Sequence, residues 1–229
     1  MPGLFRISTL MDEDNAAAEA NLTLKVYKTL REMMLHYQLV PGQRLVVMDL
    51  AKQLGVSRTP VNTALSILAK DGFLDFVPNQ GYTVHKITRA EAEQLYEIVK
   101  ILSLGGASKA VRFLTDEKLA ELARRKADYE RAVAEQVSRG RFILDQEFHA
   151  YILEMSENVY LADYFREVYQ RIYLHHRIEG LRSERARQVV NEHNEIFEAL
   201  RIRDVELLKE LIAAHVEAGK NYILAYAFD

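Results

Sequence analysis

The feature that most limits the fold is a change of pattern near residue 88, where short elements give way to long amphipathic helices. From residue 89 to residue 229 apolar residues recur at helical spacing, without a strand pattern, a repeat or a sustained heptad. Thr88 and Glu91 have the spacing of a capping box, which marks the start of the first long helix. The predicted helices cover residues 89–113, 117–138, 142–155, 159–181, 184–201 and 205–227. Six helices joined by short breaks predict an all-α antiparallel bundle over residues 89–229.

The stretch before this bundle, residues 21–88, predicts three shorter helices. Apolar residues recur at helical spacing from residue 22 to residue 37, and the dipeptide PG then stops the helix. A second helix over residues 47–54 ends at Gly55, because glycine is favoured just beyond a helix C-terminus. Ser57 is a suitable N-cap for the third helix. Two short helices joined by a glycine-containing turn predict a helix-turn-helix.

A β-hairpin follows these helices. Residues 73–77 and 82–87 are short β-type runs on either side of the turn sequence PNQG. The fold class is therefore mainly α, with an N-terminal winged helix-turn-helix over residues 21–88 and the bundle after it. Residues 1–20 lack periodicity, and we expect them to form a flexible arm.

Basic charge is concentrated in the helix-turn-helix stretch, where attraction to DNA phosphates requires it. Residues 22–88 hold eight Lys and Arg against four Asp and Glu, a net +4, although the whole chain has a net charge of -3. The absence of cysteine excludes a disulfide scaffold, a thiolate metal site and a cysteine nucleophile. Apolar runs are shorter than the about 20 residues that cross a bilayer. With no secretory signal in view, we expect a cytoplasmic protein without a membrane partner.

The start of the third helix carries the residues expected to bind DNA. In a helix-turn-helix the second of the two helices enters the major groove, and its N-terminal residues face the bases. Ser57, Arg58 and Thr59 occupy that position. Hydroxyl groups and an arginine at a helix N-terminus suit phosphate oxygens, and arginine also binds guanine with two hydrogen bonds. The alternative is that Ser57 is only a cap and Arg58 only a solvated charge.

The whole first domain resembles the winged helix of the GntR family of bacterial regulators. The resemblance lies in PGQRL at residues 41–45, GVSRTPV at 55–61, DGFL at 71–74 and NQG at 79–81. It implies that Ser57, Arg58 and Thr59 contact operator DNA and that the wing tip, Asn79, Gln80 and Gly81, reaches toward the minor groove. The sequence departs from the family at Asn62, where arginine is usual, and at Gln80, which is often basic. An asparagine can pair with adenine instead.

Three histidines and one aspartate of the predicted bundle point to a metal site. Asp145 and His149 are four residues apart, so they project from one face of a helix. His193 and His215 lie among the apolar residues of two further helices. Buried polar groups need partners, and a divalent ion held by three imidazoles and a carboxylate would supply one. Zinc, nickel, manganese and iron suit these ligands. The alternative is that each histidine is an ordinary hydrogen-bonded residue.

The bundle also resembles the C-terminal, FCD-type domain of the FadR subfamily within the GntR family. The residues that carry this resemblance are Asp145, His149, Ser156, Asn158, Glu192, His193, Ile196 and His215. It implies that the aspartate and the three histidines bind a metal ion, zinc before the others, and that the effector is a small organic acid. Six helices without an extra one resemble the VanR-like branch.

The first bundle helix departs from that subfamily. The arginine that often binds a carboxylate effector, and the glutamate four residues after it, are replaced by Val99 and Ser103. Without that arginine, we expect the effector to be held either by the metal or by Arg171 and Arg177.

Two other functions fit the same residues. The metal itself could be the signal, or three histidines and an aspartate with an open coordination position could activate water in a hydrolase. The second is disfavoured because no general base motif and no phosphate loop is present and a winged helix would have no role. Because one small recognition helix gives limited specificity, we expect a homodimer on a pseudo-palindromic operator. Repression and activation both stay open.

Overall fold

The computed structural model describes residues 4–137, 141–174, 183–226 and 228. The chain divides into two compact units, Met1–Lys86 and Ile87–Asp229. In the described residues, no helix is both long enough and apolar enough to cross a membrane.

The first unit is a winged helix-turn-helix, which confirms the predicted fold class. Its elements are α1 (Leu4–Leu35), β1 (Arg44–Leu45), α2 (Val47–Leu54), α3 (Arg58–Lys70), β2 (Leu74–Val77) and β3 (Gly81–Val84). The strands form one antiparallel sheet in the order β1-β3-β2. Its register pairs Leu45 with Tyr82 on one side of β3 and Phe76 with Tyr82 on the other. The hairpin was predicted, whereas β1 was not.

Local signals explain how the short helices begin and end. Gly55 has a φ of 66° and donates its backbone N–H to the carbonyls of Ala51 and Lys52, as expected of a residue that ends α2. Ser57 occupies the N-cap of α3 with extended backbone, but its side chain makes no capping hydrogen bond. The buried side chains that hold the unit together come from α1, α3, the sheet and the residue before β2: Leu30, Met34, Val61, Leu65, Leu68, Phe73 and Val84.

The N-terminus differs from the sequence prediction. We expected a flexible arm over residues 1–20, whereas α1 begins at Leu4 and continues to Leu35. The sequence AAAEA at residues 16–20 gives a physical reason, because alanine and glutamate are among the strongest helix formers.

The second unit is a bundle whose described residues form six helices. They are α4 (Arg89–Arg112), α5 (Asp116–Ala134), α6 (Arg141–Glu154), α7 (Val159–Leu174), α8 (Ser183–Arg201) and α9 (Val205–Tyr226). The capping box predicted at Thr88 and Glu91 is present at the start of α4. Helix α4 packs against α6, α7 and α9, while α8 packs against α5 and α9. The helices thus enclose an apolar core. The four candidate metal-binding residues described below lie within it.

Candidate functional site

The outer face of α3 carries the polar residues predicted to bind DNA. Pro60, Val61, Ala64, Leu65 and Leu68 are buried and fix the inner face of the helix. Ser57, Arg58, Thr59 and Asn62 are exposed. A shallow surface depression is lined by Arg58, Thr59 and Asn62 together with Met48 at the start of α2. This face therefore offers an arginine, an amide and hydroxyls to a partner.

The wing is a tight turn between β2 and β3. Asn79 and Gly81 have φ values of 65° and 85°, a left-handed conformation that glycine and asparagine adopt readily. Gln80 donates its backbone N–H to the carbonyl of Val77 at 3.0 Å, which closes the turn. The side chains of Asn79 and Gln80 are exposed, so the predicted wing tip is free to contact a ligand.

The helical unit brings together the four residues predicted to bind metal. Asp145 and His149 come from α6, His193 from α8 and His215 from α9, and all four are buried. Each offers one ligand atom, and these atoms all lie within 4.8 Å of one another. Nε2 of His193 lies 3.2 Å from Oδ1 of Asp145 and 3.2 Å from Nε2 of His149. Three helices, α6, α8 and α9, therefore bring their donor atoms to one point.

The electrostatics of this cluster favour metal binding. Burial lowers the pKa of His149 and of His193, so both imidazoles stay neutral and keep a lone pair for an ion. Burial opposes ionisation of Asp145, but the hydrogen bond with His193 holds the Asp145 pKa below its usual range. The cluster thus combines an ionised carboxylate with the neutral imidazoles of His149 and His193.

Further hydrogen bonds orient two of the ligands. Nδ1 of His215 lies 2.6 Å from a carboxylate oxygen of Glu192, which leaves its Nε2 available to an ion. Arg185 binds the same carboxylate through both terminal nitrogens. The hydroxyl of Tyr169 donates to Asp145. Carboxylates or hydroxyls behind the ligands are typical of metal sites in proteins.

The donor set fits a divalent first-row metal ion. Ligand atoms with bonds of about 2.0–2.2 Å to a common ion stand roughly 3 Å apart when they are neighbours around it. The 3.2 Å separations at His193 agree with this spacing. The imidazole Nδ1 of His193 has no hydrogen-bond partner in the described part of the chain, so hydrogen bonding alone does not account for the burial of this residue. The residues present therefore fit the ion that the sequence predicts.

A cavity of about 70 Å³ adjoins the cluster and shares Asp145 and His215 with it. Six aromatic residues form part of its wall: Tyr96, Tyr129, Phe142, Tyr169, Tyr173 and Tyr222. Two buried arginines, Arg141 and Arg185, also line it. The cavity thus places cationic groups and hydroxyls beside the candidate metal centre.

The arginines of this wall are not those that the sequence suggested. Arg171 is absent from the described lining of the cavity and pairs with Glu167 at 2.7 Å. Arg177 lies outside the described residues. Helical spacing could have identified the other two, because Arg141 precedes Asp145 by four residues and Arg185 precedes His193 by eight. Tyr129 resembles an ordinary core residue in the sequence, and only its position beside the cluster distinguishes it.

Comparisons with known proteins agree with the winged helix-turn-helix of the first unit and with the helical bundle of the second. Residues 22–84 match the family model "Bacterial regulatory proteins, gntR family", and residues 94–218 match the model "FCD domain". The HTH-type transcriptional regulator McbR of Escherichia coli is 27% identical over 84% of this chain and 88% of the relative. The Nta operon transcriptional regulator of Aminobacter aminovorans is 29% identical over 84% of this chain and 90% of the relative. The solved structure of Escherichia coli McbR/YncC covers 89% of this chain and 97% of its own, with a TM-score of 0.76 and 28% identity.

Proposed function

This chain belongs to the GntR family of bacterial regulatory proteins and has an FCD domain, and from that premise we propose how its regulation works. It is a transcription regulator rather than an enzyme, as its relatives are. We propose that its operator affinity is controlled by a small organic acid bound beside a divalent metal ion in the helical unit. Its site of action is the bacterial cytoplasm, where the operator is.

The observation that carries this proposal is the convergence of Asp145, His149, His193 and His215 in the core of the bundle. These residues would hold the ion, with zinc as the first choice and nickel, manganese or iron as alternatives. When bound, the ion supplies an electrophilic centre that an acid oxygen can approach. Arg141 and Arg185, rather than Arg171, supply the cationic side of the adjoining cavity.

Metal content and operator binding test this proposal together. We expect about one divalent ion per chain by elemental analysis after refolding with metal. Chelation should lower the melting temperature, because a ligand of the native state adds stability. Operator affinity that responds to the ion alone would make the metal the signal, whereas a response only after an organic acid is added supports the proposal. A chain that refolds without metal and melts unchanged with chelator would refute it.

For DNA recognition we propose that the start of α3 reads the operator in the major groove and that the wing contacts the adjacent minor groove. Arg58 contacts guanine or phosphate, Ser57 and Thr59 contact phosphate, and Asn62 pairs with adenine. Asn79, Gln80 and Gly81 form the contact of the wing. The exposure of these polar groups above a buried apolar face supports this assignment.

A mobility-shift titration at fixed salt tests the role of Arg58. Arg58→Ala should weaken operator binding at least about tenfold, since one bidentate contact to a base is worth about 1–3 kcal/mol. Lys70→Ala is the matched control, because it removes a basic residue from the other end of the same helix. Equal affinity of the Arg58 variant and the parent protein would remove Arg58 from the interface.

We also propose that the regulator is a homodimer, with the exposed apolar side chains of α4 and α7 in the interface. Ile98 and Ile101 are exposed on α4, and Tyr160 and Tyr164 are exposed on α7. The two helices pack against each other. Exposed apolar side chains on neighbouring helices are typical of an interaction surface. The bound acid then shifts the population of dimers whose two recognition helices match the operator half-sites.

A further inference from the structure

An apolar side chain stands beside the polar residues that are proposed to bind DNA. Met48, in the first turn of α2, is 64% exposed, and Val46, just before that helix, is 46% exposed. These two residues line the same surface depression as Arg58, Thr59 and Asn62. The proposed DNA-binding face therefore continues from α3 onto the start of α2.

The side chains at the start of α2 do not suit DNA phosphates. In a helix-turn-helix the first helix crosses the phosphate backbone, which basic, hydroxyl and amide side chains contact. Val46, Val47 and Met48 carry none of these groups. Asp49, which follows them, is exposed and acidic, so it repels phosphate. The exposed apolar surface of this turn therefore calls for an apolar group of the operator.

The major groove displays such a group in the 5-methyl of thymine, which apolar side chains of proteins contact. Asn62, at the same depression, is proposed to pair with adenine, and the partner base of adenine is thymine. Thr63 also lines the depression, and its hydroxyl donates to the carbonyl of Thr59 at 3.1 Å. Methionine is unbranched and polarisable, so its side chain adapts to the shape of a neighbouring group. Met48 thus suits a thymine methyl close to the adenine that Asn62 binds.

We propose that Met48 is a specificity-determining residue that contacts the methyl group of a thymine in the major groove of each operator half-site. This inference rests on the proposed function, in which the start of α3 reads the operator. Asn62 then selects adenine through hydrogen bonds, and Met48 selects thymine through an apolar contact. The first helix of the motif therefore contributes to base recognition as well as the second.

The test removes the thymine methyl and the Met48 side chain separately and together. The probe is the duplex that the full-length protein selects from a random library, with each thymine replaced in turn by deoxyuridine, which lacks only the methyl group. Fluorescence anisotropy at fixed salt measures the affinity. For the parent, deoxyuridine at one position of each half-site should weaken binding about fourfold per half-site. This factor corresponds to about 0.8 kcal/mol for one buried methyl group.

Variants at Met48 assign this methyl contact to a side chain. Met48→Ala should bind the thymine and deoxyuridine duplexes equally, whereas Met48→Leu, which keeps an apolar side chain of similar volume, should still prefer thymine. Both variants should fold, because Met48 is mostly exposed. Leu24→Ala is the matched control, since it truncates an exposed apolar residue of α1 outside the depression and should keep the full preference.

Two results would overturn the inference. One is a parent protein that binds every deoxyuridine duplex as tightly as the thymine duplex. The other is a Met48→Ala variant that keeps the full preference for thymine, whatever its affinity. Both results would leave operator binding by α3 intact, whereas a protein that selects no duplex from the library would overturn the proposed DNA recognition as well.

Discussion

Replacing His193 by leucine tests the metal centre at its most buried ligand. His193 is 0% exposed, and its Nε2 contacts both Asp145 and His149. Leucine fills much of the same space but has no donor atom. The replacement therefore separates the packing role of this position from its role as a ligand.

The expected effect depends on whether metal is present. Without metal, the replacement removes a buried ring nitrogen that lacks a partner, and this stabilises the folded protein by about 1–3 kcal/mol. The replacement also removes a hydrogen-bond partner from buried Asp145, and this destabilises the folded protein. Because these two contributions oppose each other, we expect the free energy of unfolding without metal to change by no more than about 1 kcal/mol. With zinc at 100 times its dissociation constant, the free energy of unfolding of the parent rises by about 2.7 kcal/mol. If the variant binds zinc about 100-fold more weakly, it gains only about 0.4 kcal/mol at the same concentration.

Thermal melts followed by circular dichroism measure this difference. A change of 1 kcal/mol shifts the melting temperature of a domain of this size by about 3 °C, so zinc should raise that of the parent by about 8 °C and that of the variant by about 1 °C. His36→Leu is the control, since it removes an exposed histidine from the other unit. The reasoning fails if the His193 variant keeps the full zinc-dependent shift, or if the parent melts alike in zinc and in chelator.

Three further predictions concern packing, capping and assembly. Gly106→Ala should destabilise the helical unit by about 1–3 kcal/mol in urea unfolding, because its Cβ would lie 2.4 Å from Cδ2 of Leu153. Gly105→Ala, whose Cβ meets nothing within 4 Å, should stabilise it by up to about 1 kcal/mol, and equal effects at the two sites would contradict this account. Thr88→Ala should lower the unfolding free energy by about 1 kcal/mol through loss of the capping box, and an unchanged urea midpoint would refute that role. Ile101→Glu should produce monomers in analytical ultracentrifugation and weaken operator binding, and an unchanged dimer would locate the interface elsewhere.

Elements defined by neighbouring residues were predictable from the sequence. Thr88 and Glu91 form their reciprocal hydrogen bonds within four residues, and Gly55 ends α2 through a left-handed backbone that few other residues adopt. Neither signal depends on the rest of the fold. The two-residue strand β1 depends on pairing with β3, nearly forty residues away, and carries no periodicity of its own. Its absence from the prediction follows from that dependence.

The candidate metal ligands could be predicted from local spacing, whereas the cavity beside them could not. Asp145 and His149 share a helix face by their spacing alone, and buried histidines on two further helices suggested a common centre. The cavity depends on how the starts of α6 and α8 meet α4, α5, α7 and α9, and no local pattern specifies that. The sequence therefore suggested Arg171, whereas the structure places Arg141 and Arg185 in the cavity wall beside the candidate ligands.

Helix α4 offers a physical connection between the cavity proposed for the effector and the proposed dimer face. Tyr96 lines the cavity, whereas Ile98 and Ile101 are exposed. Because a helix turns about 100° per residue, Tyr96 and Ile98 lie on nearly opposite sides of it. Packed helices move largely as rigid elements, so a ligand that displaces Tyr96 also moves the exposed isoleucines. The same helix packs against α9, which carries His215, so the candidate metal ligand, the cavity wall and the proposed interface would be coupled through a single element.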